Sequence, residues 1–268
     1  MERALGGGAG YLLCVAVLAI YFLYALGTGS FTWWRAGVAA AFVLVPVTLA
    51  ARRERRFAPG WQDYAAALAI FLPFKALLIR SLWPYPEGKL GYVLAVLMAL
   101  NVAVAVFLLV RGFGGVGYSI SWGRNWGGIV ALSFLLFAAI AIPLGRAIGF
   151  IRFAPNYAQM RNLAVVAVGI FFFTAWPEEF LFRGILQNLI SKSLKSEWSG
   201  LIAASFLFGA AHLPNGVHFP QVNWRYGILA TIAGFFYGWT WKKTGSIFPS
   251  ALVHAAVDLT WHFFFTAP

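Results

Sequence analysis

Two adjacent carboxylates, Glu178 and Glu179, interrupt a long apolar stretch in a chain that contains only 8 aspartate and glutamate residues. Arg183 follows Glu179 by four residues, so the two side chains share a helix face and can form an ion pair. Glu178 points about 100° away from Glu179 on the helical wheel and is left to face another partner. A carboxylate at membrane depth is costly and indicates function by default. A purely structural salt bridge is the other interpretation of Glu179 and Arg183.

Pro177 lies directly before the two acids and removes one backbone hydrogen bond from any helix that runs through this stretch. It either kinks one long helix or occupies the first position of a new one. Both arrangements leave polar backbone next to Glu178, as in the membrane segments that line cavities. The proline therefore favours a cavity beside the acids.

Two further apolar stretches carry polar residues at helical spacing. His212 follows Phe208 by four residues and Asp258 follows His254 by four, so each pair shares a helix face. For one histidine alone, a bond to a backbone carbonyl is the simplest interpretation. A glutamate, two histidines and an aspartate on three nearby apolar stretches instead indicate one shared polar site.

The residue types in this site suit hydrolysis without a covalent intermediate. A carboxylate and a histidine can together hold and deprotonate a water molecule. A second histidine can donate a hydrogen bond to the oxyanion of a tetrahedral intermediate. Asp258 can orient His254 and favour its charged form, as a carboxylate does in catalytic triads. Ser205 has no evident base and Cys14 lies in apolar surroundings, so neither is a better nucleophile.

The elements that must position these residues are membrane helices. The chain is 61% hydrophobic and 10% charged, with a mean hydropathy of +0.78, which indicates a polytopic membrane protein. Its net charge of +12 is assigned to membrane edges and not to nucleic-acid binding. Cys14 is the only cysteine, so no internal disulfide can form, and no zinc-binding Cys/His spacing occurs. No cleavable signal peptide is expected.

We therefore predict an all-α transmembrane bundle of about eight to nine spans, in a bacterial or archaeal cell membrane or a eukaryotic endomembrane. The sixth span is longer than one bilayer needs and must tilt, kink or continue past the membrane. Residues 161–268 are predicted to form the catalytic core, and residues 1–160 to form N-terminal transmembrane helices of unknown role. The predicted spans cover roughly residues 9–26, 31–51, 64–82, 90–110, 128–148, 162–190, 200–212, 226–241 and 247–265.

Three other features receive structural interpretations. The sequence from Gly112 to Gly117 matches GxGxxG, but it follows a membrane span and no acid lies about 20 residues on, which argues against a dinucleotide site. His218 lies in a turn-rich loop, and His262 lies near the predicted membrane edge. Both histidines are interpreted as structural.

The polar residues resemble the motifs of the CPBP family, the CAAX proteases and bacteriocin-processing enzymes, also called glutamic intramembrane endopeptidases. This family includes the Ras-converting CAAX endopeptidase of the endoplasmic reticulum. The resemblance covers roughly residues 165–265 and leaves the first 160 residues without a counterpart. It lies in three motifs in the family's order: Glu178-Glu179-x-x-x-Arg183, Phe208-x-x-x-His212 and His254-x-x-x-Asp258.

The resemblance implies an intramembrane endopeptidase in which Glu178 and His212 activate the water, while Glu179 and Arg183 support the site. It implies no metal and no other cofactor. The expected partners are the lipid bilayer and a peptide or protein substrate near or in the membrane, with no nucleic acid. CAAX-type members release a short C-terminal peptide next to a lipidated cysteine, and other members cut unlipidated peptides.

The resemblance further implies that His254 and the residue at position 258 form the oxyanion site, with Phe208 contacting substrate. The family usually has Asn where this chain has Asp258. An ionised aspartate cannot donate a hydrogen bond to an oxyanion. Either Asp258 carries a proton or it serves only to orient His254.

Two alternative functions remain open at the level of sequence. Glu178, His212 and His254 form a possible zinc ligand set with an open position, although no HExxH motif occurs and another base would be needed. The protein could instead be a transporter or an immunity-type membrane protein, whose intramembrane charges serve ion coupling. Metal analysis tests the first alternative and a peptidase assay tests the second.

Overall fold

The computed structural model describes residues 2–52, 58–85, 89–120, 122–217 and 221–267. These residues form nine helices and one two-stranded sheet, in which the two-residue strands pair antiparallel. The all-α fold class is confirmed. The helices are α1 (Glu2–Gly27), α2 (Trp33–Ala51), α3 (Trp61–Lys75), α4 (Lys89–Ala103, continued by the π-helical segment Val104–Val110), α5 (Trp126–Ala147), α6 (Gln159–Leu194), α7 (Glu197–His212), α8 (Trp224–Thr244) and α9 (Ile247–Phe264), and the strands are β1 (Arg152–Phe153) and β2 (Phe265–Thr266).

Five helices of the described chain are long and apolar enough to cross a membrane, and the longest is α6 with 36 residues. This confirms a helical membrane protein. The other predicted spans correspond to α3, α7, α8 and α9, which fall outside that set of five, so the count of eight to nine spans stays a prediction. The five stretches are Gly7–Gly27, Trp33–Ala51, Leu90–Val110, Trp126–Ala147 and Gln159–Leu194.

The third predicted span, residues 64–82, is wrong at its C-terminal end because α3 stops at Lys75. Leu77 adopts a φ of 60°, and its N–H donates to the Phe74 carbonyl at 3.0 Å. The next N–H, of Leu78, donates to the Pro73 carbonyl, also at 3.0 Å. These two bonds form a Schellman motif, which terminates the helix. Leucine is rarely left-handed, so the sequence carries no sign of this turn.

The chain divides into two compact units, Met1–Gly114 and Gly115–Pro268. In the first unit, the guanidinium of Arg111 and the carboxylate of Asp63 form a fully buried ion pair at 2.7 Å. The predicted polar site lies in the second unit, which also includes α5. The boundary predicted at residue 160 concerns catalytic function and stays a proposal.

Helix α8 is central to the second unit, where it packs against α5, α7 and α9. Its packing against α7 depends on glycine. A Cβ added at Gly209 would lie 2.6 Å from the Gly227 carbonyl oxygen and would also collide with the Thr231 hydroxyl. Because backbone cannot move aside as a flexible side chain does, this contact holds His212, three residues further along α7, close to α8.

We therefore expect Gly209→Ala to destabilise the protein by about 1–3 kcal/mol, since it forces two packed helices apart. Thermal unfolding of the purified protein in detergent measures the effect. Gly169→Ala is the matched control, because a Cβ added there meets no atom within 4 Å. A melting temperature for Gly209→Ala equal to that of the control would show that α7 and α8 pack less closely than described.

The long helix α6 continues through Pro177, so the proline does not begin a separate helix. Two π-helical segments, Phe171–Ala175 and Phe180–Gln187, lie on either side of the acids. The N–H of Trp176 donates to the carbonyl of Phe171, five residues earlier, which is the π pattern. Such segments often occur at functional sites because they change the direction in which side chains point.

Candidate active site

Glu179 is the fully buried centre of the polar site, and groups from two helices hold its carboxylate. Oxygen Oε1 lies 3.1 Å from Arg183 Nη1, on the same helix, and accepts a hydrogen bond from His254 Nδ1 on α9 at 2.9 Å. Oxygen Oε2 accepts a hydrogen bond from the Ser250 hydroxyl, also on α9. Because Glu179 has no exposed surface, it positions other groups and does not face the solvent.

Arg183 links α6 to the two neighbouring helices. Its ion pair with Glu179 is the one predicted from their spacing, and its Nη2 donates to the Gly234 carbonyl of α8 at 3.0 Å. The guanidinium carbon lies 4.5 Å from the centre of the Phe208 ring and 5.2 Å from that of Tyr237. Cation–π contacts of this kind stabilise a buried positive charge. The ion pair is therefore built into the packing of α6, α7 and α8.

The ring of His254 is held by two aromatic rings and by Glu179. It stacks on Tyr237 with 4.5 Å between ring centres and an interplanar angle of 17°, and it meets Phe208 nearly edge-on at 5.7 Å. Because Glu179 is a carboxylate, the hydrogen between it and His254 lies on Nδ1. These contacts place a hydrogen on Nδ1 and fix the direction in which Nε2 points.

The other ring nitrogen of His254 faces two carboxylates. Nε2 lies 3.5 Å from Asp258 Oδ2 and 3.9 Å from Glu178 Oε2. Asp258, which the sequence predicts to orient the ring, lies on the Nε2 side, and Glu179 is the partner of Nδ1. Glu178, whose side chain is 32% exposed, is the accessible one of the two adjacent glutamates. A proton on Nε2 would thus face acceptors from both α6 and α9.

His212 is the last residue of α7, and its ring is also fixed. Nδ1 lies 2.7 Å from the Phe208 carbonyl oxygen, and because a carbonyl only accepts, Nδ1 carries the hydrogen. The ring packs against Phe208 at 4.6 Å and against Tyr226 at 4.9 Å between centres. His212, His254 and Asp258 all line one cavity, and Asp258 lies 3.5 Å from His254, so the two histidines belong to one polar cluster. In a neutral His212, Nε2 would carry the lone pair that can accept a proton.

A cavity of about 300 Å³ opens beside this cluster. His212, His254 and Asp258 line it together, and Phe208, which is 2% exposed, forms part of the same wall. Glu178 is not among its lining residues but lies next to it, through its approach to His254. Apolar side chains of α5, α8 and α9 form most of the remaining walls. The cavity can therefore hold an apolar peptide segment against a polar end.

The region that contains this cluster matches a known protein family. Residues 160–260 match the family model Rce1-like, described as type II CAAX prenyl endopeptidase Rce1-like. These residues include all of α7 and α8 and every residue of the three motifs. Residues 160–260 are thus similar to Rce1-like CAAX proteases, and this part of the chain is called the Rce1-like domain. The match confirms the resemblance to the CPBP family, and no curated protein or solved structure matches the chain.

Three contributors to the Rce1-like site were missed in the sequence. Ser250 bonds to the Glu179 carboxylate, Tyr237 stacks on His254, and Tyr226 packs on His212. Hydroxyl and aromatic residues are common in apolar helices, so neither type nor spacing distinguishes them. The only available signal was the four-residue interval from Ser250 to His254, which places both on one face of α9.

The structure describes only one of the two histidines that are interpreted as structural from the sequence. His262 is exposed and lines the cavity of the Rce1-like domain at a distance of two helical turns from His254 along the sequence. His218 lies outside the described residues. Within the described ranges, no group of three His, Cys, Asp or Glu side chains is arranged to hold a metal ion. The metal content of the purified protein therefore tests the zinc alternative directly.

Proposed function

We propose that this protein is a glutamic-type intramembrane endopeptidase that uses a water molecule activated by Glu178 and His212. The observation that carries the proposal is the fixed position of His254. Its Nδ1 is bonded to Glu179, while its Nε2 approaches Glu178 and Asp258 beside the cavity. A preorganised imidazole next to an accessible carboxylate, in a region that matches a protease family, supplies the groups that peptide hydrolysis needs.

In the first step, the Glu178 carboxylate removes a proton from a water molecule while the water oxygen attacks the scissile carbonyl carbon. The carbonyl π electrons move to the oxygen, which becomes the oxyanion. His212 accepts a hydrogen bond from the same water through Nε2, since its Nδ1 hydrogen is directed to the Phe208 carbonyl. The carboxylate acts as general base, and the histidine holds the water in line.

In the second step, the tetrahedral intermediate collapses and the C–N bond breaks. The proton taken up by Glu178 passes to the leaving nitrogen, which departs as an amine. His254 in its charged form, with hydrogens on both ring nitrogens, stabilises the intermediate by donating a hydrogen bond from Nε2 to the oxyanion. The products are a carboxylic acid and an amine, and Glu178 returns to its ionised form without a covalent enzyme intermediate.

The proposed substrate is the C-terminal segment of a lipid-modified peptide or protein at the membrane. The matched family is named for CAAX prenyl endopeptidases, and the cavity has the chemistry to receive such a segment. Phe134, Phe137 and Ala138 of α5 and Leu229 of α8 line its apolar walls. Apolar side chains that follow the modified cysteine would pack there, and Phe208 would contact them near the polar end.

Peptide cleavage by purified protein in lipid nanodiscs tests this function. One peptide sequence is prepared in farnesylated, geranylgeranylated and unlipidated forms, and mass spectrometry detects a released C-terminal tripeptide. We expect cleavage of a lipidated form by the wild type and none by Glu178→Ala. Equal cleavage by both proteins would indicate a contaminant. No cleavage of any form by folded wild-type protein would favour the transporter or immunity-type alternative.

Metal removal tests the mechanism separately from the substrate. We expect a zinc chelator to leave the cleavage rate unchanged and the purified protein to contain far less than one zinc ion per chain. The reason is that Glu178 and His212 act on water directly, without a Lewis acid. Near-stoichiometric zinc, with activity that is lost on stripping and restored by added zinc, would establish the metallopeptidase alternative.

A further inference from the structure

Tyr226 occupies a fixed place at the polar end of the cavity. It lies in the first turn of α8, where its backbone N–H donates to the Asn223 side chain at 3.1 Å. Its ring packs against His212 at 4.9 Å on one side and stacks on Trp261 of α9 at 6.0 Å, with an angle of 20°, on another. Two helices therefore hold the phenol beside the proposed water-binding histidine.

Tyr226 shares the lining of the cavity with His212, His254 and Asp258. It is only half-buried there, so a bound peptide can reach it. The phenol is therefore accessible from the cavity and close to His212.

An oxyanion in this site needs donors, and the nearby side chains supply few. Asp258 can only accept while it is ionised, and it lies 3.5 Å from the one nitrogen of His254 that could donate. The hydroxyl of Thr260, another cavity residue, already donates to the Ala256 carbonyl at 2.7 Å. Tyr237 is 1% exposed beneath the His254 ring. Tyr226 combines a hydroxyl donor with access to the cavity.

We propose that Tyr226 is a further catalytic residue, whose hydroxyl donates a hydrogen bond to the tetrahedral oxyanion and complements His254. No proton is transferred: the phenol O–H bond stays intact, and the hydrogen bond shortens as negative charge develops on the substrate oxygen. This inference rests on the proposed peptidase function. Tyr226 of α8 would supply a hydrogen-bond donor that Asp258 cannot supply while it is ionised.

Replacement of Tyr226 by phenylalanine removes the hydroxyl and keeps the ring. We expect Tyr226→Phe to lower kcat about 100-fold, with KM changed less than about threefold, because the lost bond acts on the transition state. The melting temperature should stay at the wild-type value, since the packing against His212 and Trp261 remains. Tyr157→Phe, at a residue 69% exposed, is the control and should leave kcat unchanged.

A double-mutant cycle with Asp258→Asn separates a donor from a packing residue. The amide of Asp258→Asn can donate, so in that background we expect Tyr226→Phe to lower kcat only about tenfold or less. If Tyr226 were purely structural, Tyr226→Phe would lower kcat by the same factor in both backgrounds and would also lower the melting temperature. Either of those results, or a kcat of Tyr226→Phe within threefold of the wild type, would overturn the assignment.

The wild-type protein in the same assay separates this inference from the proposed function. Release of the tripeptide by the wild type, with normal kcat in Tyr226→Phe, would overturn the role of Tyr226 alone. Failure of the folded wild type to cut the farnesylated, geranylgeranylated or unlipidated peptide would overturn both.

Discussion

Glu178→Gln is expected to lower the rate of tripeptide release by about 10³-fold, while the protein is produced and folds as the wild type does. The amide keeps the shape of the side chain but cannot take a proton from water. Glu178 is 32% exposed, so the loss of its charge costs little stability. The rate is measured with the lipidated peptide in nanodiscs, and folding is measured by the melting temperature of the same preparation.

Glu197→Gln is the matched control for this prediction. Glu197 is the other accessible glutamate of the Rce1-like domain, with a side chain that is 73% exposed and pairs with Lys242 at 2.8 Å. It stands in the first turn of α7, whereas His212 ends that helix, so its charge should not affect catalysis. A Glu178→Gln enzyme that retains more than a tenth of wild-type turnover would require another general base.

Arg183→Ala is expected to lower both the yield of folded protein and its activity. The substitution leaves the Glu179 carboxylate fully buried without its guanidinium partner, and breaking a buried ion pair in this way costs about 3–5 kcal/mol. It also removes the bond to the Gly234 carbonyl and the contact with the Phe208 ring. The yield of monodisperse protein and the melting temperature measure this loss.

Two further variants serve as controls for Arg183→Ala. Arg225→Ala removes an exposed arginine that contacts the Gly149 carbonyl at 3.3 Å, and it should leave yield unchanged. The double substitution of Glu179→Gln with Arg183→Met removes both buried charges and should recover part of the yield lost in Arg183→Ala, without recovering activity. Normal yield and normal turnover in Arg183→Ala would show that the ion pair supports neither the fold nor the site.

The spacing of residues along one helix predicted the contacts that form within that helix. Glu179 and Arg183 pair as their four-residue interval requires, and Phe208 lies beside His212 for the same reason. The strongly apolar helices were likewise predictable from hydropathy, since α5 runs over Trp126–Ala147 against a predicted 128–148. Such features follow from periodicity, which is a property of the sequence alone.

Contacts between helices were not predictable in the same way. The partner of His254 Nδ1 is Glu179, 75 residues earlier, and not Asp258 four residues later. That choice depends on how α6 and α9 pack and on π-helical segments that alter the direction of side chains. Tyr226 gave no signal and Ser250 gave only its four-residue interval to His254, because phenols and hydroxyls are common among apolar residues and their partners lie on other helices.

One wall of the cavity comes from α5, a helix that contributes no charged group to the polar end, which has an evolutionary consequence. The bonds that fix Glu179, Arg183 and His254 come from α6, α8 and α9, whereas Phe134, Ala138 and Ile142 of α5 form a wall. A single substitution on α5 can therefore enlarge or fill the cavity while the distances among the charged groups persist. A lineage of such proteins could diversify its substrates by changing one helix, and each intermediate would inherit a working hydrolytic centre.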